Sequence, residues 1–406
     1  MPTIFVHASF FFFTLVALSG VWMRLQFLHP VPFLPYTNIL HGHSHLAILG
    51  WAFLGAFFLF LTYYWRTLKQ KKQGIILFFL LMIVSVLMFI SFLYQGYGLF
   101  SIIFSTTHIF LEYWTSLFIY QQIKIEGNEL KSEKLFIFSS LFFLVLSSLG
   151  PFALGYISAI GQKESYWFDM AMYFYLHFQY NGWLTLFLIG MFILICKKQS
   201  IRLEDRLLEI GFWIYVLSLF PGYFLSVLWV DLGNLMIFLA ILGSIGQWIG
   251  VIFILLAFLK SWKDISSQYA TLISVILALT FLFLFIKSTT ELGLIIPDLS
   301  ILIYETRSIV IGYLHLTLLG FVSIFILAQN FMLKILPVKR LSIKGMILLI
   351  IGFLLNELLL FGQGLLEWTT RERIPYLNEG LFLASGLLLL GIIILWMTIT
   401  RQKCYR

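Results

Sequence analysis

Ile39-Leu-His41-Gly-His43-Ser-His45-Leu-Ala-Ile-Leu-Gly50-Trp51-Ala-Phe53-Leu-Gly55-Ala-Phe-Phe-Leu-Phe60-Leu61 runs on to Trp65 without one Asp, Glu, Lys or Arg, and Arg66 closes it. As a helix rising about 1.5 Å per residue, 39–65 is long enough to cross a hydrocarbon core of roughly 30 Å. Similar apolar stretches fill the chain on either side. They predict spans near 4–22, 39–65, 74–94, 99–123, 135–160, 167–195, 207–230, 233–259, 269–287, 308–333, 344–366 and 378–400. The fold class is therefore all-α: a polytopic integral membrane protein of about 12 transmembrane helices. The alternating segments of about ten residues that mark a transmembrane β-barrel are absent.

Composition requires lipid. Hydrophobic residues make up 61% of the 406 positions and charged residues 11%, against roughly 45–50% and about 25% in an ordinary globular domain. Basic residues concentrate on the cytoplasmic side of short loops, and twenty of the 26 here fall at alternate connections. These are Arg66, Lys69, Lys71 and Lys72; Lys124, Lys131 and Lys134; Lys197, Lys198, Arg202 and Arg206; Lys260 and Lys263; Lys334, Lys339, Arg340 and Lys344; and Arg401, Lys403 and Arg406. Arg24, Lys163, Lys287, Arg307, Arg371 and Arg373 remain for the outer side. Both termini are expected in the cytoplasm, and 1–406 reads as a single transmembrane domain of a multi-pass plasma (inner) membrane protein. The net charge of +8 then reflects membrane orientation and not a nucleic-acid partner, for which no basic face or motif exists. The first span lacks a basic leader and a small-residue cleavage site, so it reads as a retained helix. Cys196 and Cys404 fall on the reducing side.

Six of the eight histidines lie inside predicted spans: His41, His43, His45, His108, His177 and His315. Ionisable groups in spans are costly and usually face the protein interior at functional sites. With each span oriented by its loops, all six fall in the outer half: His41 to His45 in the first two turns, His315 about seven residues in, His108 and His177 about ten. Four helices deliver imidazole to one layer, which a shared cofactor explains and scattered helix-packing histidines do not. Successive helical residues turn by about 100°, so His41 and His45 share a face and His43 points away from both. One internal echo stands out, His45-Leu-Ala-Ile-Leu-Gly50 against His315-Leu-Thr-Leu-Leu-Gly320. A mixed zinc or copper site would favour Cys or carboxylates beside the imidazoles. The spans offer only Glu112 and Glu357 as acids and no well-placed Cys, so haem iron held by His fits better.

His43-Ser-His45-Leu-Ala-Ile-Leu-Gly50-Trp51 resembles the His-x-His helix of the haem-copper oxidase superfamily, which contains oxygen reductases and nitric oxide reductases, and is also similar to the NnrS family of membrane haem and copper proteins. The resemblance implies a twelve-helix bundle like cytochrome c oxidase subunit I, with one or two haems near the outer face. His45 and His315 would hold a low-spin haem and His43 a second, reactive haem. His177, in His177-Phe-Gln-Tyr180-Asn181-Gly182-Trp183, is placed like the sixth-helix copper ligand, which makes copper a further candidate metal. Spans seven and eight carry no His to complete that copper site, so His108 and His41 are the remaining candidates. Arg371 and Arg373 would meet haem propionates. On this resemblance His43 and His177 are the catalytic pair of an oxidoreductase that binds or reduces a diatomic gas, NO or O2, drawing electrons from a quinol or a cytochrome. Two other functions fit a histidine-rich twelve-helix protein: a secondary transporter or metal-ion carrier with a histidine-lined pathway, and a non-catalytic haem electron carrier.

Overall fold

The computed structural model describes residues 3–30, 34–125, 131–370 and 372–399. No strand occurs among them. The long helices are α1 (Thr3–Leu28), α2 (Tyr36–Tyr64), α3 (Lys71–Gln95), α4 (Leu99–Ile125), α5 (Ser132–Ala159), α6 (Tyr166–Lys198), α7 (Asp205–Val227), α8 (Asn234–Lys260), α9 (Thr271–Ile295), α10 (Arg307–Met332), α11 (Arg340–Thr369) and α12 (Leu377–Met397). Among the described residues, eleven of them are long and apolar enough to cross a membrane. The remaining one, α4, carries His108, Glu112, Gln121 and Gln122, which lower its hydropathy. Phe110, Leu217, Leu242 and Leu358 project from helices with more than half of their surface exposed, as side chains facing lipid do. The protein is an all-α, multi-pass membrane protein.

Each expected span is a helix, and the ends differ most at α1 and α9. Sequence patterning ends the ninth span at Lys287 and leaves that lysine on the outer flank. In the structure α9 continues past it, and Lys287 is only 2% exposed. The reason is local: Glu291 lies one turn further on, and its carboxylate sits 2.9 Å from the Lys287 ammonium, so the charges compensate each other inside the protein.

By their contacts the helices fall into two compact units. Unit 1 comprises residues 1–122 and 318–406, and unit 2 comprises 123–317. Within unit 1, α11 and α12 approach closely through glycine, since a Cβ on Gly391 would lie 2.8 Å from the Gly345 carbonyl oxygen. Within unit 2, a Cβ on Gly250 of α8 would meet the Tyr215 backbone of α7 at the same 2.8 Å. Small residues that let backbones touch are how membrane helices gain dispersion contact when lipid gives no hydrophobic drive.

The most apolar windows of α6, α2 and α10 are 100%, 83% and 61% buried, ahead of every other spanning helix. These three share a second feature. Each widens into π-helical hydrogen bonding just at or after a histidine: Leu46–Phe53 after His45, His177–Leu184 from His177, and Leu316–Ser323 after His315. The echo of the sequence is thus threefold: His45-x4-Gly50-Trp51, His177-x4-Gly182-Trp183 and His315-x4-Gly320-Phe321. At each glycine a Cβ would press on an aromatic ring: Phe12 at 3.1 Å for Gly50, Phe143 at 2.7 Å for Gly182, and Phe353 at 2.5 Å for Gly320. The aromatic that follows is buried in all three. A π-turn leaves a carbonyl out of register with the helix ladder, and two hydroxyls take it: Thr185 Oγ1 donates to Tyr180 O and Ser323 Oγ to Leu318 O, both at 2.7 Å. Ser323 Oγ in turn accepts the Trp51 indole N–H at 2.8 Å, locking two of unit 1's segments together.

Replacing Gly182 by Ala should force Phe143 to move, with a loss of about 1–3 kcal/mol read as a lower melting temperature in detergent. Gly155→Ala, where a Cβ meets open space, should leave the melt unchanged or raise it. Equal melts for the two variants would show that the glycine of the π-segment is not a packing requirement.

Candidate functional site

Three histidines of α2 divide between two sides of their helix. The His45 ring lies parallel to Phe92 of α3, with centroids 4.3 Å apart and 16° between planes, and its Nε2 is 3.0 Å from the Tyr97 hydroxyl. His41 meets the same tyrosine, at 4.6 Å between centroids. Tyr97 stands between Gly96 and Gly98 in the α3–α4 connection, and Gly96 takes a φ of +59°, open to glycine but strained for other residues. Burial of its hydroxyl end pushes the Tyr97 phenol above its ordinary pKa. His43 faces the opposite way, toward α1. Its Nδ1 lies 2.9 Å from Ser19 Oγ and 3.2 Å from Val16 O. The Ser19 hydroxyl already donates to Val16 O, so both neighbours are acceptors for His43. Nδ1 therefore carries the proton and Nε2 keeps its lone pair.

His108 of α4 is fully buried, as is Glu112 one turn on. His108 Nδ1 is 2.8 Å from Glu112 Oε1, and Nε2 has no hydrogen-bond partner. Phe53 of α2 packs edge-on to the imidazole at 5.6 Å. Within unit 1, His41 and His45 thus share Tyr97, His43 turns to α1, and His108 packs against Phe53 of α2.

In unit 2, His177 is 2% exposed. Beyond Pro221, α7 tightens into a 3-10 turn at Tyr223–Val227, and the Tyr223 N–H turns to Phe220 O. The Leu219 carbonyl is thereby released, and His177 Nε2 donates to it at 2.9 Å. With Nε2–H so used, Nδ1 is the acceptor, reached by Asn181 Nδ2 at 3.4 Å. Both ring nitrogens are engaged, and the first work of His177 in this structure is to tie α6 to the bend in α7. Asn181 extends the network: its Oδ1 accepts from the Lys287 ammonium, and its backbone carbonyl accepts the Tyr215 hydroxyl at 3.0 Å. Lys287 also lies over the rings of Tyr180 and Tyr313, at 5.7 and 6.0 Å from their centroids. Tyr313 donates its hydroxyl to Glu291.

His315 is half-buried at the head of its π-segment in α10. Arg373 is exposed in the connection between α11 and α12, and Arg371 lies outside the described residues. Among the described residues, no group of three or more His, Cys, Asp or Glu converges closely enough to hold a metal ion by itself. Haem demands less, since its porphyrin supplies four donors and the protein one or two. Imidazoles with one nitrogen anchored and the other bearing its lone pair, as in His43 and His108, suit that demand. Sequence patterning passed over Lys287, Glu291, Tyr313 and Asn181. The available signal was the i,i+4 spacing of opposite charges at the end of α9. The chain matches no known protein family, and no curated protein matches it in sequence.

Lys287→Met should leave the Glu291 carboxylate buried without its cation and cost about 3–5 kcal/mol of stability. The double variant Lys287→Met/Glu291→Met should recover most of that loss in a detergent melt. If the single variant melts like the unaltered protein, the pair carries no structural load.

Proposed function

We propose that this chain is a membrane haem protein that binds or reduces a diatomic gas, NO or O2, at iron held by imidazoles of its histidine-bearing helices, in the plasma (inner) membrane. One observation carries the proposal: the three most buried spanning helices each set a histidine at the head of a π-helical segment, closed by a buried aromatic. π-segments are rare and concentrate at functional sites, and imidazole in a span marks function by default. The echoed positions His45 and His315 are the proposed pair for a low-spin haem. His43, on the opposite face of α2 with its Nδ1 anchored to α1, is the proposed single ligand of a reactive haem. Arg373 and Arg371 are the proposed propionate partners, and copper remains a candidate second metal. When bound, haem iron supplies the electron transfer and the open coordination position for the gas.

The chain's own contribution is orientation and exclusion of water. Val16 and Ser19 fix the tautomer and ring plane of His43, which directs Nε2 away from α1. Phe92 holds the plane of His45. His177 and its network stiffen α6 against α7 and keep polar side chains ordered in otherwise apolar surroundings. Electrons would come from a quinol or a cytochrome at the membrane surface. A transporter or metal-ion carrier draws its one specific support from the buried Lys287–Glu291 pair, since coupled transporters carry such charges in their pathways. That function needs no haem. A bis-imidazole electron carrier needs haem but no vacant position.

His45→Ala and His315→Ala should each abolish the same low-spin spectral component, and retention of that component at full intensity in either variant would break the pairing. Reduced protein should shift its absorption on carbon monoxide. His43→Ala should remove that response and spare the low-spin component. A fully haem-loaded, reduced protein with no carbon monoxide shift would leave the electron carrier.

A further inference from the structure

The His108–Glu112 pair of α4 leaves one buried ring nitrogen without a hydrogen-bond partner among the described residues. Glu112 is 2% exposed inside a membrane helix, where a carboxylate is stable only with a compensating charge or donors. Its ion-pair partner is His108, at 2.8 Å through Nδ1. A neutral His108 donates one N–H but brings no charge, and its Nε2 lone pair then sits buried and unpaired. An imidazolium would instead bury an Nε2–H with no acceptor. A water at Nε2 needs two to four polar partners of its own, and the ring's flank is the apolar edge of Phe53. Haem iron at Nε2 would take that lone pair, and its porphyrin would bring the four other donors that the described residues lack. A histidine whose second nitrogen donates to a carboxylate is the arrangement that orients metal ligands and strengthens them as donors.

We propose that His108 binds haem iron through Nε2 and that Glu112 is the positioning residue that fixes its tautomer and raises its donor strength. The inference rests on the haem function proposed above. Placed here, α4 contributes a ligand in its own right, and its low hydropathy is the mark of that role. The tighter and more electron-rich the imidazole, the lower the potential of the iron it holds, so the carboxylate tunes the metal as well as holding it.

The test is a metal and haem inventory per chain on the purified full-length protein, the His108→Ala variant and the Glu112→Gln variant, with size exclusion as the check on folding. His108→Ala should lose one equivalent of iron together with its haem and keep the rest. Glu112→Gln should retain the metal with affinity weakened about 10–100-fold and with the iron–imidazole stretch at lower frequency and a higher midpoint potential. A folded His108→Ala protein with the full inventory and an unshifted spectrum overturns the inference. If His108→Ala does not fold, Glu112→Gln decides alone, and an unchanged affinity and stretch overturn it. A haem-free unaltered protein refutes the haem function. That result overturns this inference with it, whereas a fully haem-loaded protein with unshifted variants overturns this inference alone.

Discussion

Within the hydrocarbon no water is available to satisfy an imidazole, a freed carbonyl or an ammonium, so each must find its partner inside the protein. That constraint orders most of what is polar in this molecule. The carbonyl displaced by the π-turn of α6 is met by Thr185, and the one displaced in α10 by Ser323. The carbonyl released where α7 tightens is met by His177. His43 turns to the Val16 carbonyl and the Ser19 hydroxyl, and Lys287 is compensated by Glu291. Irregular helix geometry and polar side chains are therefore coupled: a hydroxyl meets the displaced carbonyl in α6 and in α10, and an imidazole meets it at the bend of α7.

The same bookkeeping separates the histidines by what they can do. His177 spends both nitrogens within the protein, which makes it a structural pin between α6 and α7 as well as the residue next to a buried charge network. His43 and His108 each spend one, on α1 and on Glu112 respectively, and so resemble ligands already oriented by their outer partners. His45 stands between these cases, its Nε2 at the Tyr97 hydroxyl and its ring plane set by Phe92. The proposed haem function follows from this division and from the placement of the imidazoles on the most buried helices.

Much of the fold was legible in the sequence because span length and charge spacing act locally. Lipid allows little else than a helix for an apolar run such as 39–65. The two-sided display of His43 against His41 and His45 was also legible, being fixed by the 100° turn of an α-helix. The π-segments were not. Hydrophobic runs look alike whether the ladder is i→i+4 or i→i+5, and only the recurrence of His-x4-Gly-aromatic hinted at them, with the copy at His177 hidden by its polar Gln179 and Asn181. The burial of Lys287 was not legible because a lysine ordinarily marks a membrane edge, and its partners Asn181 and Tyr313 lie far away in sequence. The anchored Nδ1 of His108 was half legible, since Glu112 at i+4 shares its face, but the bare Nε2 appears only when α2 and α4 are packed.

The central claim is that these histidines exist to hold haem iron. It is tested most directly by a reduced-minus-oxidised absorption spectrum of the unaltered protein, purified after haem-sufficient expression, with haem quantified on the same sample. The account predicts at least one haem per chain with a sharp low-spin band in the reduced state. Well-folded protein carrying less than one haem per several chains would contradict it and turn attention to transport through the charge network of α9.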